Sequence, residues 1–217
     1  MRESLFNKAY GGDQPLFGAT PTAELVHAVE SLGIGPGKAL DVGCGDGRDT
    51  FELLRRGFDV TAIDRSPSAV EALKQRAVAS KETASLKLSA VCADFRDALK
   101  DEEFILLNAV TLLDHLPKSE ISAAVHQLAG VLAPGGLAVI QVLTVDDPAV
   151  TRHGDVSEFA SEIHHYFEHN ELLRLLQPLF RVVLYQERME WDYDHGEPHQ
   201  HGMAIFVGLR LGQGETR

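Results

Sequence analysis

Apolar positions along this chain recur in short blocks whose period alternates between helix and strand. Leu25, Val29 and Leu32 fall three and four apart, the spacing of one helix face, and Thr20-Pro21 supplies an N-cap and a first-turn proline for a helix through about Leu32. A glycine-rich segment at 33–37 ends it and leads into the buried strand 38–42. A helix over 48–56, closed by Gly57, and a strand over 58–63 follow. A helix over 67–79, a strand over 86–92, a short polar helical piece and a strand over 103–109 continue the series. Ile121, Val125, Leu128 and Leu132 then mark a helix over 117–132, and Pro134-Gly-Gly136 reads as a turn before the strand 137–143. Strand and helix alternating at this pitch predict βαβ units, hence a mostly parallel sheet with helices on both faces.

After Thr144 the rhythm changes. Residues 144–165 form a polar, acidic connection, and 170–178 reads as a helix. Two strand-like runs, 180–189 and 202–209, are separated by about twelve polar residues that include His195, His199 and His201. Joined locally, they predict an antiparallel hairpin at the sheet edge. The expected organisation is one domain over 1–217: an irregular arm at 1–20, a ligand-binding core at 21–143, and a second, acceptor-side segment at 144–217.

The sharpest motif is Asp41-Val-Gly43-Cys44-Gly45-Asp-Gly47, set between a buried strand and a helix. Glycines there allow a sharp turn and a close approach of backbone to ligand. No Lys-Ser/Thr pair follows, which excludes a phosphate loop of the G-x4-G-K-[ST] type, and Arg48 stands where a dinucleotide fingerprint needs Gly or Ala. Asp41 and Asp46 would repel a pyrophosphate but suit a ligand bearing an ammonium and a sulfonium. Asp64 ends the second strand, where a carboxylate can accept from both ribose hydroxyls. Asp94 follows the third, suited to an adenine amino group, with Phe95 to cover the ring. Three acids at successive strand ends lie where open α/β sheets bind ligands.

On these residues, together with the fourth strand running into Asn108-Ala-Val and with Leu-Ala-Pro-Gly-Gly136, the chain resembles the class I S-adenosylmethionine-dependent methyltransferases over about 21–143. The resemblance implies a Rossmann-like seven-stranded, mostly parallel sheet with a reversed last strand and helices on both faces. It implies S-adenosylmethionine as methyl donor, held by Asp41, Gly43, Cys44, Gly45, Gly47, Asp64, Arg65, Asp94, Phe95 and Asn108. The glycine-rich arm, Gly45-Asp-Gly-Arg48 and the segment 166–172 look more like one branch, the tellurite-resistance methyltransferases, cytoplasmic bacterial enzymes that methylate chalcogen oxyanions. That branch uses an adjacent His and Arg in the final hairpin toward the acceptor. Here His195 is followed by Gly196, and the nearest arginine in that stretch is Arg188, which widens the acceptor range to thiols and other small nucleophiles.

Composition narrows the partners. Of 217 residues, 20 are basic and 32 acidic, a net charge of −12. Residues 1–110 hold 13 basic and 17 acidic residues, a net of −4, and the remainder hold 7 and 15, a net of −8. No basic face is available for nucleic acid or anionic lipid, and the Asn-Pro-Pro-Tyr-like signature of base-modifying enzymes is missing after the fourth strand. Two cysteines without framework spacing fit a reducing, cytoplasmic compartment. The N-terminus lacks the apolar stretch of a signal peptide, and no window approaches a membrane span. The expected protein is a monomer or homodimer acting on a small molecule.

Seven of the ten histidines lie between 153 and 201. His195 and His201 are the candidate catalytic bases, and Tyr10, Phe17 and Trp191 the candidates to close over the site. His199-x-His201, with His195 and Asp192 or Asp194, could hold a transition metal, since imidazoles two apart on a strand share a side. Without an H-E-x-x-H or C-x2-C frame, no metal is assigned. The leading expectation is methyl transfer to a small acceptor such as tellurite, selenite or a thiol. The alternatives are a methyltransferase for another small O or N nucleophile, and a donor-binding regulatory or assembly module without turnover.

Overall fold

In the computed structural model, residues 5–10, 12, 15–80, 87–99, 102–151, 157–194, 196–212 and 214 are described. In chain order they form α1 (Leu5–Ala9), α2 (Ala23–Leu32), β1 (Lys38–Val42), α3 (Arg48–Arg55), β2 (Asp59–Asp64), α4 (Pro67–Ala79), β3 (Leu88–Cys92) and α5 (Phe95–Ala98). There follow β4 (Phe104–Val110), α6 (Lys118–Gly130), β5 (Leu132–Leu143), α7 (Pro148–Thr151), α8 (Glu171–Leu176), β6 (Phe180–Asp192) and β7 (His199–Arg210). The seven strands form one sheet in the order β3-β2-β1-β4-β5-β7-β6. Pairing is parallel from β3 to β5, and β7 runs antiparallel to both its neighbours. The reversed last strand and the edge hairpin are therefore both present.

Successive side chains of a strand point to opposite faces, so a strand buried on both sides feeds two cores. Leu40, Leu107 and Ile140 pack on one face with Ile121, Val125 and Leu128 of α6. Ala39, Leu106 and Val139 pack on the other with Leu25 and Val29 of α2 and with Leu53, Leu54, Phe58 and Leu73. The helix over 67–79 starts where proline and a serine cap place it: the Ser66 hydroxyl accepts from Ala69 N–H at 3.2 Å.

Three sequence expectations are corrected. α2 begins at Ala23 with Thr22 rather than Thr20 at its cap, because Asp49 captures both the Thr22 amide and hydroxyl. The arm holds a helical turn, α1, docked by Asn7, whose side-chain carbonyl accepts from the Ser66 hydroxyl and the Ser68 amide. Pro134-Gly-Gly136 does not separate helix from strand. It lies within β5 as an irregularity between the Phe104↔Leu132 and Leu106↔Leu137 pairs, with Gly135 at φ +77°. Among the described residues no helix is long and apolar enough to cross a membrane, and Cys44 and Cys92 are free thiols.

β5 pairs with β7 only as far as Leu143↔Met203, whereas β6 and β7 stay paired out to Asp192↔His199. The hairpin thus extends as a two-stranded ribbon past the carboxyl edge of the parallel strands, over the place where α/β sheets bind ligands.

Candidate active site

One cavity of about 600 Å³ opens at that carboxyl edge, within the range of small-molecule sites. Its floor is the loop between β1 and α3. Gly43 and Gly45 stand at φ +71° and +53°, left-handed conformations that β-carbons disfavour. A β-carbon on Gly45 would lie 2.7 Å from the Tyr10 hydroxyl. The arm therefore packs directly onto the loop through Tyr10. Gly47 carries a packing constraint of its own. A β-carbon there would meet Leu73 at 2.5 Å and Phe51 at 2.9 Å, so a glycine at this position lets the helices pack against the loop.

The other residues expected to hold the donor, Asp41, Cys44, Asp64, Arg65, Asp94, Phe95 and Asn108, all line the cavity. Asp64 is held in place by the amides of Gly45 at 2.9 Å and Ser66 at 2.8 Å, and burial raises its carboxyl above the ordinary range. Asp94 caps α5 and pairs with Arg96 at 2.5 Å, which holds it below the usual range. Asp46, between the last two glycines, is already matched by Arg76 at 2.7 Å and accepts from Leu16 N–H at 2.8 Å.

Asp41 is buried and accepts from the Thr50 hydroxyl at 2.5 Å and the Asn108 amide at 3.0 Å. Asn108 also donates to Asp49 at 3.2 Å, placing two buried acids on one amide. Burial first, and then the Asp49 charge, push the Asp41 carboxyl up to about 7. The carbonyl oxygen of Asn108 is buried and has no partner among the described residues. A buried acceptor beside a carboxyl that is reluctant to ionise leaves a place for a cationic N–H donor.

Among the lining residues, Phe6, His115, Phe159, Tyr166, Met203 and Asp147 carried no signal in the sequence, whereas Phe17, Trp191, Asp192 and His201 did. Phe6 stacks on Phe159 at 4.6 Å and 8°, with Phe17 5.7 Å from Phe159, and His115 presents its edge to Phe6 at 5.2 Å. These rings come from segments more than 40 residues apart, which no periodicity connects. Burial pulls the His115 imidazole below its ordinary range, and its Nδ1–H donates to the Glu162 carbonyl at 2.9 Å. At the ribbon end, Tyr166, Met203, Trp191, Asp192, His201 and Asp147 line the wall. His201 Nδ1 lies 2.8 Å from Asp147. His195 lies outside the described residues, so its expected role has no structural counterpart.

Residues 39–136 match a family described as a methyltransferase domain. Over that stretch the chain is similar to methyltransferase domains. The crystal structure of TehB from Haemophilus influenzae shares the fold at TM-score 0.71 and 21% identity, covering 88% of this chain and 62% of that one. The N-methyltransferase NodS from Bradyrhizobium japonicum, solved with S-adenosyl-L-homocysteine, superposes at TM-score 0.66 and 20% identity over 95% and 97% of the two chains. A ubiquinone biosynthesis O-methyltransferase from Psychrobacter cryohalolentis is 30% identical over 112 residues, 52% of this chain. The chain spans 43% of that relative's length, and the match carries the domain rather than the relative's substrate.

Proposed function

We propose that the protein transfers a methyl group from S-adenosylmethionine to a small-molecule acceptor. The observation that carries this reading is the buried Asn108 carbonyl beside Asp41, without a partner among the described residues, behind a glycine loop with carboxylates at three successive strand ends. Such a floor disfavours a pyrophosphate and suits an ammonium, a ribose and an adenine read by Asp41, Asp64 and Asp94. The donor supplies an electrophilic methyl: an acceptor lone pair attacks the carbon while the C–S bond breaks toward sulfur. The chain's own residues then align the partners and exclude water. Phe6, Phe17 and Phe159 form an apolar lid, and Tyr166 with the ribbon residues Trp191 and His201 faces the acceptor. His201, whose Nδ1 is held by Asp147, is the candidate to take an acceptor's proton.

The finer reading is a chalcogen oxyanion or thiol acceptor in a cytoplasmic enzyme, supported by the likeness of the arm, loop and 166–172 segment to the tellurite-resistance branch. The test is calorimetric titration with S-adenosylmethionine and, in parallel, NAD. A screen of selenite, tellurite, thiols, phenols and small amines by product mass would follow. Donor binding with a methylated product supports the reading, and no donor binding at millimolar ligand removes it. Donor binding without any product points to the regulatory module instead.

A further inference from the structure

The ribbon that overhangs the cavity carries a group of side chains that methyl transfer alone does not require. His199 and His201 stand two apart on β7, and Asp192 pairs with His199 across the ladder, so all three project from one face. One ligand-type atom from each lies within 4.8 Å of the others. His199 Nδ1 is 2.8 Å from the Glu197 carbonyl, which can only accept, so that nitrogen carries the hydrogen. His201 Nδ1 is 2.8 Å from the Asp147 carboxylate, which also accepts from the amides of Gly202 at 3.3 Å and Ala149 at 2.8 Å. The two Nε2 atoms are 3.0 Å apart, a hydrogen-bonding distance at which one proton joins the rings and a cation bound by both would take its place.

From this geometry we infer a divalent transition-metal site formed by Nε2 of His199, Nε2 of His201 and the carboxylate of Asp192. Two nitrogens on one tetrahedral zinc ion, each about 2.0–2.1 Å from it, sit about 3.3 Å apart, a few tenths of an ångström from what is found. The set of two imidazoles and one carboxylate suits zinc and its neighbours rather than magnesium or calcium, which prefer oxygen. The Asp147 contact is the outer-sphere carboxylate that metal-bound histidines commonly use to fix tautomer and ring orientation. Its placement depends on Gly202: a β-carbon there would lie 2.6 Å from the Asp147 amide nitrogen, so only glycine lets this loop lie against β7.

Three protein ligands leave a tetrahedral ion one open position, and Asp192 and His201 border the cavity. An acceptor hydroxyl, thiol or oxyanion could occupy that position. Coordination would lower the pKa of a protonated acceptor, its proton would leave to water, and the freed lone pair would attack the methyl carbon. This role rests on the methyl-transfer reading, whereas the site itself does not. It also makes His201 a metal ligand rather than the free base.

The test uses full-length protein without an affinity tag, stripped with a chelator and titrated with zinc chloride by calorimetry and with cobalt(II) by visible absorption. The expected result is one ion per chain, a four-coordinate cobalt spectrum and no displacement by millimolar magnesium. His199→Ala and His201→Ala should each abolish the cobalt spectrum, and Asp147→Asn should weaken zinc roughly 10–100-fold. His126→Ala, on the exposed face of α6, should change nothing. Thermal unfolding of each stripped variant separates loss of the site from loss of the fold, and where a variant unfolds early, His199→Gln replaces it. No saturable binding in the folded wild type, or unchanged binding in the folded histidine variants, overturns the assignment. Donor titration of the same stripped protein keeps the questions apart: zinc bound without the donor sinks methyl transfer and leaves the metal site standing, and the reverse result does the opposite.

Discussion

Asp41 makes donor binding depend on pH in a way that can be worked from the structure. In the empty site its carboxyl is pushed up to about 7 by burial and by Asp49. Relative to an ordinary aspartate, that rise corresponds to about 4 kcal/mol between the neutral and charged forms. An ammonium about 4 Å away is worth roughly the same at an effective dielectric of about 20, which would return the bound carboxyl to its usual range. Binding at pH 6 would then release about 0.9 proton from Asp41, and binding at pH 7.5 about 0.25. The sign follows from charge: protons oppose a cationic ligand, so affinity rises with pH until Asp41 is ionised. Between pH 5.5 and 7.5 the dissociation constant of S-adenosylmethionine should fall roughly 25-fold. Staying at or below pH 7.5 keeps most of the ligand's own α-amino group protonated. Calorimetry in two buffers of different ionisation enthalpy counts the protons directly. Asp41→Asn should remove this proton release and flatten the profile, because the amide does not titrate. Wild-type protein that releases no proton at pH 6, or an Asp41→Asn variant that still does, would refute the argument.

Three further outcomes are expected. Gly45→Ala places a β-carbon in a left-handed conformation, costing about 1–2 kcal/mol, and drives it into the Tyr10 hydroxyl, so donor affinity should fall tenfold or more. Adding Tyr10→Phe should recover part of that loss, and a Gly45→Ala variant with full affinity removes the close-approach argument. Asp114 is wholly buried, one of its oxygens has no partner among the described residues, and burial raises its carboxyl well above the ordinary range. The folded state thus favours the neutral acid: this contribution is fully present below the unfolded pKa near 4 and is lost as pH rises toward the folded value. Asp114→Asn should lessen the loss of stability on going from pH 5 to 8 in chemical denaturation. A variant more than about 2 kcal/mol less stable than wild type at pH 8 contradicts this. Phe6→Ala removes the stacked partner of Phe159, worth about 0.5–1.5 kcal/mol, and should weaken donor binding up to about tenfold with a melting temperature nearly unchanged. Equal donor affinity would show that these rings do not close the site.

The floor of the cavity was legible because its residues are placed by local rules. A βαβ unit puts the residue after each strand at the carboxyl edge, so Asp64 and Asp94 could be located from strand ends alone, and the glycine loop from its position between strand and helix. For Gly47 the spacing shows the loop position, while the packing of Leu73 from α4 and Phe51 from α3 against it appears only in the fold. The wall opposite was much less legible. His199 and His201 read as part of a polar loop, yet they begin a long strand, because pairing with β6 tolerates polar residues on a ribbon that has left the core.

What the sequence determined by itself is the alternation of elements, the open α/β sheet with its reversed strand, and the acids along one edge. Each follows from hydrophobic period and backbone geometry over a few residues. The tertiary structure alone decided which polar groups meet: Asn108 with Asp41 and Asp49, Asp147 with His201, and Phe6 with Phe159. Those partners are separated by dozens of residues, and their contacts exist only once both faces of the sheet are packed and the arm and ribbon have folded over its edge. A chain pattern records which side chains must be buried, but burial in three dimensions decides which of them share a proton, a ligand or a metal ion.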